Sequence, residues 1–173
     1  MDEESTTGTP AGILRRLAAF VYDALLVTAL LFVATYALLP LTGGEAILTE
    51  TQGPLGHLYH GLMLLLGFVY FALCWTRGGQ TLGMMSWRIR LQGRGGSAPG
   101  WADAIVRYAL GSAVLLLAIA GAWNLRASGG SLHELAAVLM VLPVVANWLW
   151  IAIDGESRSL LDLAGGMRVL RLR

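Results

Sequence analysis

The chain has 173 residues, of which 56% are hydrophobic and 13% charged, with a formal net charge of +1 and a single cysteine. Ordinary globular domains carry about 25% charged residues, so this composition excludes a water-soluble globular domain and points to an integral membrane protein. One cysteine, Cys74, excludes an intramolecular disulfide and reads as a small apolar filler.

The first segment, "MDEESTTGTP", is acidic and polar, and residues 1–12 are expected to form a disordered tail. The apolar run behind it is too long for a signal peptide and has no cleavage pattern after it. Residues 13–173 are then expected to form one domain with four spans, at about 17–39, 58–75, 104–123 and 135–153. A spanning helix needs roughly 17–25 apolar residues to cross about 30 Å of hydrocarbon. Backbone polar groups in lipid must be satisfied internally, so the expected fold class is an all-α membrane protein with four transmembrane helices.

Ten arginines precede the first run or follow the second and fourth, whereas only Arg126 falls in a loop on the opposite side. This bias places both termini in the cytoplasm. Trp75 and Trp101 are expected at the inner surface and Trp123 at the outer one. The charge that sets topology also accounts for the basic face without nucleic acid, for which no reading motif is present.

After the second run, "WRIRLQ" alternates Trp87, Ile89 and Leu91 with Arg88, Arg90 and Gln92, the pattern of a half-buried strand. "GRGGSAPG" follows as a loop. The C-terminal "LAGGMRVLRLR" alternates in the same way. Either the two segments pair as a short two-stranded ribbon, or each lies on anionic lipid headgroups as a basic amphipathic segment.

Inside the runs stand a few polar groups. Asp23 lies seven residues beyond Arg16, about 10 Å along a helix. An aspartate at a helix centre costs about 2.5–3.5 kcal/mol on insertion scales, so it is expected to face the bundle and find a partner. Arg107 and Asn147 lie at matching depth, and Asp23, Arg107 and Asn147 are expected to meet as an intramembrane polar cluster. Asp103 and Arg107 form an alternative pair at i,i+4. Two roles stand open for Asp23: a packing residue in an ion pair, or a group that binds or relays a cation or proton. An arginine partner argues against the relay, because it holds a carboxylate ionised.

"RRLAAFVYD", "GQTLGMMSWRIRL" and "RSLLDLAGGMRV" occur in this order, after the start of the first run, after the second and after the fourth. Together they resemble the RDD family of bacterial membrane proteins, from about Ile13 to the C-terminus. The resemblance implies Arg16, Asp23 and Asp162 as the family's arginine and two aspartates. It also implies a multi-pass protein of the bacterial inner membrane and transport of an ion or small solute, with cation/proton exchange as one form. Leu161 stands where the family often has His, Met167 where it often has Thr, and Leu82-Gly83-Met84 where it often has Pro-Gly-Lys. Without that histidine the position cannot titrate near neutral pH. Asp162 is therefore expected to act structurally, capping "LAGGM" or pairing with Arg158 or a loop arginine.

His57 and His60, at i,i+3, and His133 beside Glu134 are all expected outside. They are weak candidates for a metal site, and no metal or other cofactor is expected. "SLHE", 131–134, also reads as a capping box. Ala109, Ala113, Ala118 and Ala122 offer a small-residue face for close helix approach, and Pro143 a kink in the fourth span. No nucleophile with a base, phosphate-cradling loop or paired carboxylates is present, so an enzyme is not expected. Transport by four short helices implies a homo-oligomer in the lipid bilayer. The alternative is a non-transporting accessory or scaffold module that acts through its basic cytoplasmic face.

Overall fold

The computed structural model describes residues 8–44, 53–93, 95–126 and 131–172. Among the described residues, four helices are long and apolar enough to cross a membrane. They are α1 (Ile13–Leu38), α2 (Pro54–Gly78), α4 (Trp101–Arg126) and α5 (Ser131–Ile153). Each extends several residues beyond the apolar runs at its arginine-rich end or its far end. The apolar run marks only the lipid-contacting part of a helix of about 39 Å. Two short helices, α3 (Leu82–Ser86) and α6 (Leu160–Gly165), follow α2 and α5.

The helix boundaries have local causes. Pro40 lacks an N–H, and α1 tightens there into a 3-10 turn over Leu39–Thr42, closed by Gly43 in the left-handed region at φ 68°. Pro54 occupies the first turn of α2, where its missing donor costs nothing. Gly79 ends α2 at φ 67° and returns its N–H to the Trp75 carbonyl at 2.9 Å. A side chain at Gly79 would also strike the Leu91 carbonyl, because Leu91 donates its N–H to the Gly79 carbonyl at 2.7 Å.

The strands are β1 (Thr9–Pro10), β2 (Ile89–Gln92) and β3 (Arg168–Arg171). They form an antiparallel sheet in the order β1-β3-β2. Leu91 lies opposite Val169 and Gln92 opposite Arg168, while Pro10 lies opposite Leu170 on the other side of β3. The expected two-stranded ribbon is thus a three-stranded sheet. Its third strand comes from the tail expected to be disordered to residue 12; residues 1–7 lie outside the described residues. Ala11 follows β1, is fully buried and donates its N–H to Val169 at 3.0 Å. Because β1 and β3 pair, the two termini lie at the same end of the bundle.

The core sits under this sheet. Ile89, Leu91, Met167 and Val169 close over Ala19, Ala72, Trp75 and Ala104 at the arginine-rich ends of the spans. The spans themselves bury only 11–17% of their most apolar windows, so lipid must cover the rest. Where they touch, small residues or hydroxyls mediate. A side chain on Gly121 would come within 2.9 Å of the Ala137 carbonyl, so α4 and α5 lie in close contact there. That role was expected of the alanine face, but Ala109, Ala113 and Ala122 are exposed. Tyr108 donates to the Leu64 carbonyl at 2.8 Å, over Gly67, and Thr35 meets the Tyr59 hydroxyl at 2.7 Å. Trp75 is not an interfacial anchor: it is 7% exposed, beneath the sheet. Pro143 lies inside α5, which continues through it.

Leu91 is fully enclosed where β2, β3 and the end of α2 meet. Leu91→Ala is expected to cost about 2–5 kcal/mol, the usual range for emptying such a site. Thermal unfolding in detergent measures it; an unchanged midpoint would show that the sheet contributes nothing to the stability of the bundle.

Candidate functional site

Three polar residues of α1 and α6 anchor two separate arrangements. The first centres on Asp162. Ser159 caps α6: its hydroxyl accepts the Asp162 N–H at 3.0 Å, and the Asp162 carboxylate accepts the Ser159 N–H at 3.0 Å. This reciprocal box fixes the carboxylate at the start of α6. Arg16 of α1 donates to one oxygen at 2.5 Å and Arg107 of α4 to the other at 2.5 Å. Arg16 also donates to the carbonyls of Ala11 at 3.0 Å and Ser157 at 2.6 Å. The Arg107 guanidinium lies over the Trp75 ring, 5.5 Å from its centroid.

Asp162 is wholly buried. Burial alone pushes its carboxyl up, but the charges of Arg107 and Arg16, with the hydrogen bonds from Arg16 and Ser159, outweigh burial and hold it at about 2. The Asp162 carboxylate therefore stays ionised at any ordinary pH.

The second arrangement centres on Asp23, which is 4% exposed. Tyr70 of α2 donates its hydroxyl to Oδ1 at 2.9 Å, and the Gly83 N–H donates to the same atom at 2.9 Å. Thr81 donates its hydroxyl to Oδ2 and accepts the Met84 N–H at 3.2 Å, capping α3. The chain after α2 thus turns back against α1. Gly83 permits the contact, since a side chain there would strike the Ala19 carbonyl and the Asp23 carboxylate.

The expected cluster of Asp23, Arg107 and Asn147 does not form. Arg107 belongs to Asp162, and Asn147 accepts the Leu161 N–H at 3.3 Å. The segment after α5 folds back and supplies a carboxylate for Arg107. Asp103 turns to its own helix start, accepting the Gly100 N–H at 3.1 Å, and does not pair with Arg107. Asp162 does cap α6, yet its arginine partners are Arg16 and Arg107, while Arg158 pairs with Asp154 at 3.1 Å. Tyr70, Thr81 and Gly83 were not singled out as site residues. The available signal was Thr81, a capping type two residues after the glycine pair that ends α2.

Among the described residues, no group of three His, Cys, Asp or Glu lies together as metal ligands. His57 and Glu134 are exposed, and His60 Nδ1 lies 2.7 Å from the Gly56 carbonyl. The side chain of His133, and with it the expected box over 131–134, falls outside the described residues.

Four apolar spanning helices, a sheet joining both termini and an arginine–aspartate knot beneath it define a multi-pass integral membrane protein. A sequence model of the RDD family matches residues 10–166, and the chain belongs to that family. No curated protein and no solved structure matches it.

Asp162→Asn removes one charge from a buried arrangement and leaves two arginines uncompensated. It is expected to destabilise the protein by about 3–5 kcal/mol, read from thermal unfolding. The pH dependence has a fixed sign. The folded carboxyl, at about 2, lies below the unfolded value of about 3.9. Its contribution is complete above about pH 4 and is lost as pH falls through the folded value. Acid titration of the wild type should therefore show a loss of stability in that window that Asp162→Asn lacks; an identical acid limb in both would refute the assignment.

Proposed function

We propose that the protein transports a cation in exchange for protons across the bacterial cytoplasmic membrane, with Asp23 as the exchanging carboxylate. One observation carries this reading: among the described residues, Asp23 is buried and accepts hydrogen bonds only from the neutral groups of Tyr70, Thr81 and Gly83. A carboxylate withdrawn from water is normally paired with a cation or neutralised. Because Asp162 holds both, Arg16 and Arg107 do not serve Asp23. Its negative charge is thus left for a mobile cation or a proton, and the two hydroxyls beside it offer oxygen ligands of the kind hard cations take. The arginine bias supports an orientation with the sheet in the cytoplasm. The small protein cross-section of four spans supports a path shared between copies.

A second reading, a non-transporting accessory module, is favoured by a different observation. Arg77, Arg88, Arg168 and Arg171 are all exposed at the sheet end, where a partner or an anionic surface can meet them.

Proteoliposomes carrying the full chain, with sodium or potassium gradients and an internal pH dye, separate the two. Cation-driven proton flux is expected in the wild type, with a fall of at least about tenfold in a folded Asp23→Asn variant, equivalent to about 1.4 kcal/mol. Absence of flux with either cation, together with a marked loss of stability in Asp23→Asn, would make Asp23 a packing residue and leave the accessory reading.

A further inference from the structure

The knot around Asp162 is not electrically neutral. Two guanidinium groups meet one carboxylate, so one positive charge remains. Arg16 spends its donors on the protein, on Asp162 and the carbonyls of Ala11 and Ser157. Arg107 does not. A guanidinium carries five N–H donors, and among the described residues only Nη1 of Arg107 has an acceptor, Asp162 Oδ1. One face of this guanidinium is covered by the Trp75 ring. Its side chain remains 13% exposed, against 7% for Arg16 and 0% for Asp162, so the knot opens to the outside along Arg107. Among the described residues, the buried indole N–H of Trp75 also has no acceptor.

We propose that the free edge of Arg107 binds a phosphate oxyanion. The planar fork of a guanidinium matches two oxygens of a phosphate, and the surplus charge matches a monoanion. Stacking on Trp75 and the bond to Asp162 hold the fork in one orientation before any ligand arrives, which reduces the ordering cost of binding. Depth favours a lipid as the source. Arg107 stands six residues after Trp101, about 9 Å along α4. Its head group, however, reaches back to α6, which lies beyond the last span. A group that reaches beyond the ends of apolar spans meets the headgroup region. The site differs from the diffuse attraction of the exposed arginines, because it is one oriented donor pair in a partly closed place. It is independent of Asp23 and of any transport.

The test uses the full chain released from mixed phosphatidylglycerol and phosphatidylcholine vesicles, with retained lipids counted by native mass spectrometry. One phosphatidylglycerol is expected on the wild type. Arg107→Lys keeps a charge beside Asp162 but loses the planar fork, and should weaken retention by at least about tenfold. Arg88→Gln, at an exposed arginine of the sheet end, should retain lipid like the wild type. A parallel arm follows thermal unfolding of delipidated wild type in neutral detergent. Stabilisation by phosphatidylglycerol alone assigns the site to lipid, and stabilisation by inorganic phosphate over chloride at equal ionic strength assigns it to a dissolved anion. A folded Arg107→Lys that retains lipid like the wild type overturns the proposal. If that variant does not fold, the wild type decides: indifference to both probes overturns it.

Discussion

Asp162, closed between Arg16 and Arg107, is the contact on which the arginine-rich end of the molecule depends. Helices in lipid have no hydrophobic drive to associate with one another, so their arrangement rests on close packing and polar contacts. Here one carboxylate joins α1, α4 and α6, three elements far apart in the chain. The strands follow from it. β1 ends three residues before α1 begins, and β3 begins three residues after α6 ends. Once Arg16 has fixed the start of α1 against Asp162, β1 and β3 lie within pairing distance. β2 then closes the sheet through the Gly79–Leu91 contact at the end of α2.

A buried ion pair is weak evidence for stability, since the cost of desolvation can exceed the Coulombic gain. What marks this one is the way its geometry is enforced. The Asp162 carboxylate is held by its own capping box as well as by the arginines, and Arg16 is aimed by two backbone carbonyls. Neither partner has freedom to pair elsewhere. The consequence is positional: α1 takes one rotation and one depth, and Asp23, seven residues on, is carried to a fixed place facing α3.

Much of this was legible in the sequence. The four spans and the placement of both termini at one end follow from apolar length and arginine bias, and alternation in "WRIRLQ" and "RVLRLR" marks β2 and β3. The cap at Asp162 is visible as Ser159 with an acidic residue three positions on. The rest was hidden for physical reasons. A rise of about 1.5 Å per residue gives depth along a helix but not its rotation, so Asp23 and Arg107 could be placed at one level without being neighbours. β1 spans two residues in a polar segment and has no alternation to read. Spacing could not separate the exposed alanines of α4 from Gly121, because small residues occur all around that helix. The partners of Asp23 arise from a chain reversal after α2, where only Thr81 carries a local signal.

The partition of charge joins the two arrangements. Arg16, Arg107, Asp23 and Asp162 lie beneath the sheet, and two separate arginine–aspartate pairs would have left each aspartate satisfied and inert. Instead both arginines go to Asp162, and Asp23 receives neutral donors alone. One side of the balance is a carboxyl group without an arginine, and the other is a guanidinium with donors to spare. Unlike charges separated in a medium of low dielectric attract strongly, and such a separation persists only where the fold holds each group in place. The Ser159–Asp162 capping box, the Thr81 cap, the Trp75 ring and the Gly83 contact are what hold them. With these contacts in place Arg107 stays with Asp162 and Asp23 with its hydroxyl and amide donors, two separate arrangements where a simple ion pair would have made one.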